Sequence, residues 1–239
     1  MLKIIDKLKI KIFADGADLK SIRNFNNNNL IKGFTTNPTL MRSSGVTDYE
    51  KFVKEACKIV IDKPISFEVI TDDLSEMENQ ARRIASWAKN VYVKIPIYNT
   101  KKESTTKIIK NLNDDGIKLN ITAVFTIEQV SSILNHINNK TNTIISIFAG
   151  RIADTGQNPE EIINEALNKS KNFNQVEILW ASPREVFNII QADNIGCHVI
   201  TATKSLLDKI SLFDKDLDEY SLETVKMFYD DAQASQYKI

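Results

Sequence analysis

LNITAVFTIEQVSSILNHINNKTNTIISIFAG, residues 119–150, carries the pattern that decides the fold. An apolar run, LNITAVF, leads into TIEQVSSILNHI, whose apolar residues recur at spacings of three and four. A second apolar run, TIISIFAG, follows. The first and last pieces read as buried strands and the middle as an amphipathic helix. Thr126-Ile127-Glu128-Gln129 opens that helix as a capping box. Strand, helix, strand is the unit of a parallel sheet.

The unit repeats in both directions. Toward the N-terminus lie KIFAD, KGFTT, ISFEVI and VYVKIP, and toward the C-terminus VEILWAS and CHVITA. Helix-like segments follow the strands, among them DLSEMENQARRIASWAK, PEEIINEALNKSKN and PREVFNII. Asp73-Leu74-Ser75-Glu76 and Ser182-Pro183-Arg184-Glu185 have capping-box form, and Asn158-Pro159 reads as an N-cap followed by proline. Eight strand–helix units with no strand left over predict an α/β fold, a single (β/α)8 TIM barrel spanning residues 1–239. The tail, residues 216–239, has helical periodicity and reads as a helical extension of that barrel. NFNNNN, residues 24–29, reads as a polar loop.

Bulk composition narrows the function. Thirty-one basic residues balance 31 acidic ones, with no basic stripe, so nucleic acid is not expected as a partner. No apolar run approaches the roughly 20 residues of a membrane span. Lysines and an aspartate interrupt the opening MLKIIDKLKIKIFADGAD, which does not read as a signal peptide. Cys57 and Cys197, far apart, read as buried thiols of a reducing compartment. These features predict a soluble, cytoplasmic protein. No phosphate-loop or dinucleotide fingerprint occurs. The two histidines, His136 and His198, form no metal-ligand spacing, so no metal and no cofactor is expected.

In such barrels, polar residues at the C-terminal ends of strands build the active site. Lys94 lies within VYVKIPI, flanked by apolar residues. Burial disfavours a charged ammonium, and a neutral amine attacks carbonyls to form a Schiff base. The residue alone reads equally as a lysine paired with a carboxylate at the barrel mouth. Glu68 in ISFEVI is either that partner or a general acid or base. Asp15 ends KIFAD and reads as a proton-transfer group or as a turn residue before Gly16. Asn120 and Thr122 share one face of their strand, and so do Ser146 and Phe148. Arg151 and Arg184 follow strand ends, where arginine suits anion recognition. Either could instead form a surface ion pair.

Taken together, GFTTNPTLM at 33–41, VYVKIPI at 91–97, NITAVFT at 120–126, SIFAGRIAD at 146–154 and EILWASPRE at 177–185 resemble the transaldolase family. The likeness runs from Ile12 to about Ser205 and weakly into the C-terminal helix. The length resembles the short transaldolases, which include the fructose-6-phosphate aldolase subgroup. The resemblance implies that Lys94 forms the Schiff base and that Asp15 takes the proton from the substrate's C4 hydroxyl. It implies that Glu68 and Thr122 hold the water used in proton transfers. Asn37, Asn120 and Ser146 are implied to bond the hydroxyls of a dihydroxyacetone unit. Ser182, Arg151 and Arg184 are implied to hold phosphate, and Thr35 and Thr36 to line the site. Ser182 is also the expected N-cap of the following helix, which competes with a phosphate role.

The implied reaction transfers dihydroxyacetone between sugar phosphates, as in the pentose phosphate pathway, without metal or cofactor. In aldolase-type relatives glutamine replaces the glutamate and tyrosine the phenylalanine; Glu68 and Phe148 are the transaldolase-like pair. The alternatives are an aldolase releasing free dihydroxyacetone, an enzyme acting on a related anionic sugar such as a sulfonate, and a non-catalytic sugar-phosphate-binding barrel. Short relatives tend to form rings of subunits, so the resemblance also implies a homo-oligomer.

Overall fold

Isoleucine and valine dominate the short strand runs, and β-branched side chains suit a pleated surface buried on both faces. In the computed structural model, which describes residues 3–237, these runs form eight parallel strands. They are β1 (Lys11–Asp15), β2 (Ile31–Thr35), β3 (Ile65–Glu68), β4 (Val91–Pro96), β5 (Leu119–Val124), β6 (Thr143–Ile147), β7 (Val176–Trp180) and β8 (Val199–Thr203). Each pairs with its neighbours in sequence, and β8 closes onto β1. The result is the expected (β/α)8 barrel. Positions 1–2 and 238–239 of the sequence reading lie outside the described residues.

Alternation along the strands separates two cores. Outward residues such as Ile12, Ile65, Val93, Ile121, Ile145 and Ile178 pack under the surrounding helices. Inside the barrel, Phe13, Tyr92, Ile144, Leu179, Ala181 and Val199 form a second cluster, with Phe148 packed against it. Phe13 fills the barrel axis because β2 offers Gly33 beside it. A Cβ at Gly33 would stand 2.5 Å from the Phe13 ring.

The helices begin where the sequence supplies caps. Asp18, Asn37, Asp48, Asp73, Thr126, Asn158 and Asp216 each accept a backbone N–H of a following turn. Such a cap contributes about 1 kcal/mol. Thr126 and Gln129 form the full reciprocal box.

Three expectations change. Asn24–Asn26 belong to the helix Leu19–Asn26, so only the end of NFNNNN is loop. The segment after β7 is not helical from Pro183; the helix there is Asn188–Asn194. Ser182 sits at φ 60°, away from the extended conformation typical of N-caps, and the N-cap position of that helix is Phe187. Its carbonyl oxygen is pressed against Gly150, where a Cβ would lie 1.6 Å away. Finally, of the two thiols only Cys197 is buried, while Cys57 is half-buried. Burial pushes their thiols up to about 12 and about 11, so neither is a ready thiolate.

The C-terminal helix, Leu217–Ser235, buries none of its residues. Leu217, Leu222, Val225 and Phe228 are exposed along it. Among the described residues no helix is long and apolar enough to cross a membrane.

Candidate active site

A cavity of about 500 Å³ opens at the C-terminal ends of the strands. Parallel strands direct successive inward side chains toward this mouth, and the loops that follow wall it. Asp15 enters from β1, Thr35 from β2, Glu68 from β3, Lys94 from β4, Thr122 from β5 and Ser146 from β6. Asn37, Phe148, Arg151, Ser182 and Arg184 line it from the loops and helix starts. Eleven of the thirteen residues singled out in the sequence therefore meet in one cavity.

Thr36 and Asn120 are the two that do not line it. Thr36 points outward because it follows Thr35 with opposite sense, and its hydroxyl donates to the Ser66 carbonyl at 3.0 Å. Only its own carbonyl reaches the site. Asn120 is inside the barrel but below the cavity floor. Its amide donates to Ser66 Oγ at 3.0 Å and its oxygen accepts from Ser146 Oγ at 2.7 Å. It orients Ser146 from beneath.

Lys94 is 7% exposed. Its Nζ donates to the Thr36 carbonyl at 2.8 Å and lies 3.3 Å from Glu68 Oε2. The amine is thus held by one short bond and one looser ion pair, with its remaining face toward the cavity. Of the two readings of Lys94, the ion pair with Glu68 is the one seen here, and the amine also faces the cavity. Glu68 is adjacent to Lys94 in the β3–β4 register, which fixes the pair. Tyr49 anchors the strand end by donating to the Glu68 carbonyl at 2.5 Å.

Asp15 accepts from Thr35 Oγ1 at 2.8 Å. Burial pushes its carboxyl up from the usual range, against the pull of Lys94 and the Thr35 bond; Glu68 pushes the same way as burial. A carboxylate whose charge is costly is a better proton acceptor.

The far wall is apolar, then cationic. Phe148 and Phe125 stack at 5.6 Å between centroids, and the Arg151 guanidinium lies 5.7 Å over the Phe148 ring. Arg184 pairs with Asp154 through two bonds, one from Nε at 3.0 Å. Each partner shifts the other toward its charged form. Arg184 is therefore in an ion pair, the alternative left open by its sequence, and it also lines the cavity. It stands in the bend before the Asn188–Asn194 helix, not in a helical first turn. Among the described residues no three His, Cys, Asp or Glu side chains gather as metal ligands.

Sequence reasoning missed Thr201, Thr203 and Phe125 in the lining, and Ser66 and Asp154 behind it. Thr201 and Thr203 alternate with apolar residues in CHVITAT, the signal that identified Asn120 and Thr122. Ser66 is two residues before Glu68 on the same face. Ala123 also lines the cavity beside Thr122, against alternation. It has φ 57°, and the β5–β6 register shifts between Ile121 and Val124. That bulge turns two consecutive residues inward, and nothing in NITAVF announces it.

Comparison with known proteins decides the family. The family model described as transaldolase/fructose-6-phosphate aldolase matches residues 12–239. The chain belongs to this family. A probable transaldolase of Methanococcus maripaludis (strain C7 / ATCC BAA-1331) is 34% identical over 215 residues, covering 90% of this chain and 94% of that protein. A probable transaldolase 2 of Listeria monocytogenes is 35% identical over 202 residues, covering 84% and 88%. Among solved structures, KGPDC from Streptococcus mutans has a TM-score of 0.54 at 13% identity, covering 83% of this chain and 89% of that one. A native KDPGal structure gives 0.53 at 10% identity and 82% coverage of each chain. At that identity the two structures share the barrel alone. The segments that carry the resemblance lie at the mouth: TTNP supplies Thr35 and Asn37, VYVKIPI supplies Lys94, and SIFAGRIAD supplies Ser146, Phe148 and Arg151.

Proposed function

We propose that this protein is a transaldolase that moves a dihydroxyacetone unit from fructose 6-phosphate or sedoheptulose 7-phosphate to an aldose phosphate, through a Schiff base on Lys94. One observation carries the reading. Lys94 Nζ, 7% exposed, faces a cavity that also holds Asp15, Glu68, Thr122 and two arginines.

Lys94 gives a proton to Glu68, its ion-pair partner at 3.3 Å, and the free amine attacks the ketone carbon. Loss of water gives an iminium ion, with Glu68 and Thr122 holding that water and relaying the protons. The iminium draws electrons from the C3–C4 bond. Asp15 takes the C4 hydroxyl proton, the bond breaks, and an aldehyde phosphate leaves. The bound three-carbon enamine then attacks an incoming aldose phosphate, and hydrolysis frees Lys94. Ser146, steadied by Asn120, and Asn37 bond the hydroxyls of the three-carbon unit. Asn37 Oδ1 is committed to the Leu40 N–H at 2.9 Å, so its amide N–H groups are the part left to act. Arg184, Arg151 and Ser182 hold the distal phosphate. Thr35 orients Asp15, and Thr36 acts through its carbonyl on Lys94. No metal or organic cofactor takes part.

The wall beside the enamine supports transfer over simple cleavage. Phe148 and Phe125 offer no hydroxyl there to protonate the enamine or place a water. The enamine then waits for an aldehyde. A cytoplasmic enzyme of pentose phosphate metabolism, with the exposed C-terminal helix serving contacts in a homo-oligomer, completes the proposal. The test is a steady-state assay of fructose 6-phosphate with and without erythrose 4-phosphate. Transfer should exceed cleavage by at least about tenfold, roughly 1.4 kcal/mol in barrier. Equal rates would replace transaldolase with aldolase.

A further inference from the structure

We infer that Thr201 is a positioning residue that keeps Asp15 competent as a base, acting through the hydroxyl of Thr35. The inference deepens the proposed reaction and rests on Asp15 taking the C4 hydroxyl proton.

The register sets the geometry. β1 lies between β8 and β2, with Phe13 opposite Thr201 and Asp15 opposite both Thr35 and Thr203. Thr201 and Thr35 therefore flank β1 from its two neighbours. Their side chains meet inside the barrel, Oγ1 to Oγ1 at 2.5 Å. Both residues are buried. Thr35 Oγ1 in turn donates to Asp15 Oδ1 at 2.8 Å.

With Asp15 ionised, the form that acts as base, counting hydrogens fixes the direction of this chain. A threonine hydroxyl has one hydrogen, and an ionised carboxylate only accepts. Thr35 gives its hydrogen to Asp15, so the short contact with Thr201 has to be donated by Thr201. A donor that itself accepts a hydrogen bond is polarised and donates more strongly. Thr201 thus favours the ionised form of Asp15, the form that accepts a proton from substrate, and it restrains the carboxyl's rotation. The charged groups around Asp15 are Lys94 from β4 and Glu68 from β3. Asp18 caps the next helix, and Lys204 pairs with Asp208. None of these supplies the hydrogen that Thr201 gives to Thr35. Burial opposes ionisation of Asp15, so loss of one relayed donor is felt there.

The test uses Thr201→Val, which keeps the branched shape and removes the hydroxyl, and Thr201→Ser, which keeps the hydroxyl. In Val the acid limb of the kcat/KM profile should move to higher pH, so activity falls about three- to tenfold more on the acid side than at the plateau. Borohydride trapping of substrate on Lys94 should remain, and Ser should restore the wild-type profile. The carboxyl carbon resonance of Asp15, assigned by its disappearance in Asp15→Asn, should titrate at higher pH in Val and normally in Ser. This resonance separates the two claims. If it moves as expected but no transfer is measured in any variant, the relay stands and the proposed reaction falls. A Val resonance and acid limb that match wild type, or Val and Ser shifts of equal size, would overturn the relay.

Discussion

The two ends of the barrel each carry a lysine beside a glutamate, and they differ in everything else. At the N-terminal end Lys11 and Glu177 pair at 2.6 Å, with side chains 52% and 29% exposed. At the mouth Lys94 and Glu68 stand 3.3 Å apart, with side chains 8% and 19% exposed. On the proposed mechanism the closer pair is the less consequential one. Water screens it, and exposed pairs contribute about 0–1 kcal/mol. The looser pair is buried at the edge of the cavity, with a backbone carbonyl as Lys94's nearest partner. The lesson is that tightness of contact does not mark the site; burial of a titratable group facing an open cavity does. The ends also differ in strain, since Ala123 and Ser182, both at positive φ without being glycine, line the mouth.

The largest expected contrast comes from removing each lysine. Lys94→Met and Lys94→Arg should leave no measurable transfer, since neither forms a Schiff base. Lys11→Met should keep kcat/KM and lower stability by less than about 1 kcal/mol in urea unfolding. A Lys94 variant with residual turnover near wild type would collapse the distinction between the ends.

Next in size is the cationic rim. Arg184→Ala should cost about 2–3 kcal/mol in kcat/KM with phosphorylated donors and much less with unphosphorylated dihydroxyacetone as donor. Equal losses would make the Arg184–Asp154 pair purely structural. Phe148→Tyr supplies the missing phenol and should move the ratio of transfer to cleavage toward cleavage by about tenfold.

A smaller effect concerns stability. Burial raises the Asp15 carboxyl, so the folded chain binds that proton more tightly than the unfolded one. Stability then falls as pH rises from the ordinary aspartate range through the raised folded value. Asp15→Asn removes that penalty. The variant should be inactive yet melt above wild type at neutral pH, and the gap should shrink toward acid pH. A variant melting below wild type at neutral pH would contradict the assigned burial cost. Least of all, exhaustive EDTA should leave transfer unchanged.

How far the sequence carried depended on which physical rule was in force. Alternation made β1 and β4 legible to the residue, and it brought Asp15, Glu68, Lys94, Thr122 and Ser146 to one cavity. It failed at Ala123, where a bulge breaks the period. Cap rules placed the helices after Asp73, Thr126 and Asn158. They failed at Ser182, which sits at φ 60° with its carbonyl packed against Gly150, 32 residues away in sequence. Thr36 and Asn120 bear family motifs, yet a motif does not say whether a side chain or only its backbone reaches the cavity. Thr201 carries the same alternation signal, but a lone threonine among apolar residues is usually only a satisfied polar group, so nothing in the sequence singles it out.

Trapping bears most directly on the central claim, that the buried lysine at the mouth is the covalent centre. The enzyme is incubated with fructose 6-phosphate, reduced with borohydride, digested and mapped by mass spectrometry. The account predicts a reduced dihydroxyacetone adduct on the peptide containing Lys94 and none on the peptide containing Lys11. An adduct on another lysine, or none from an enzyme that is turning over, would contradict it.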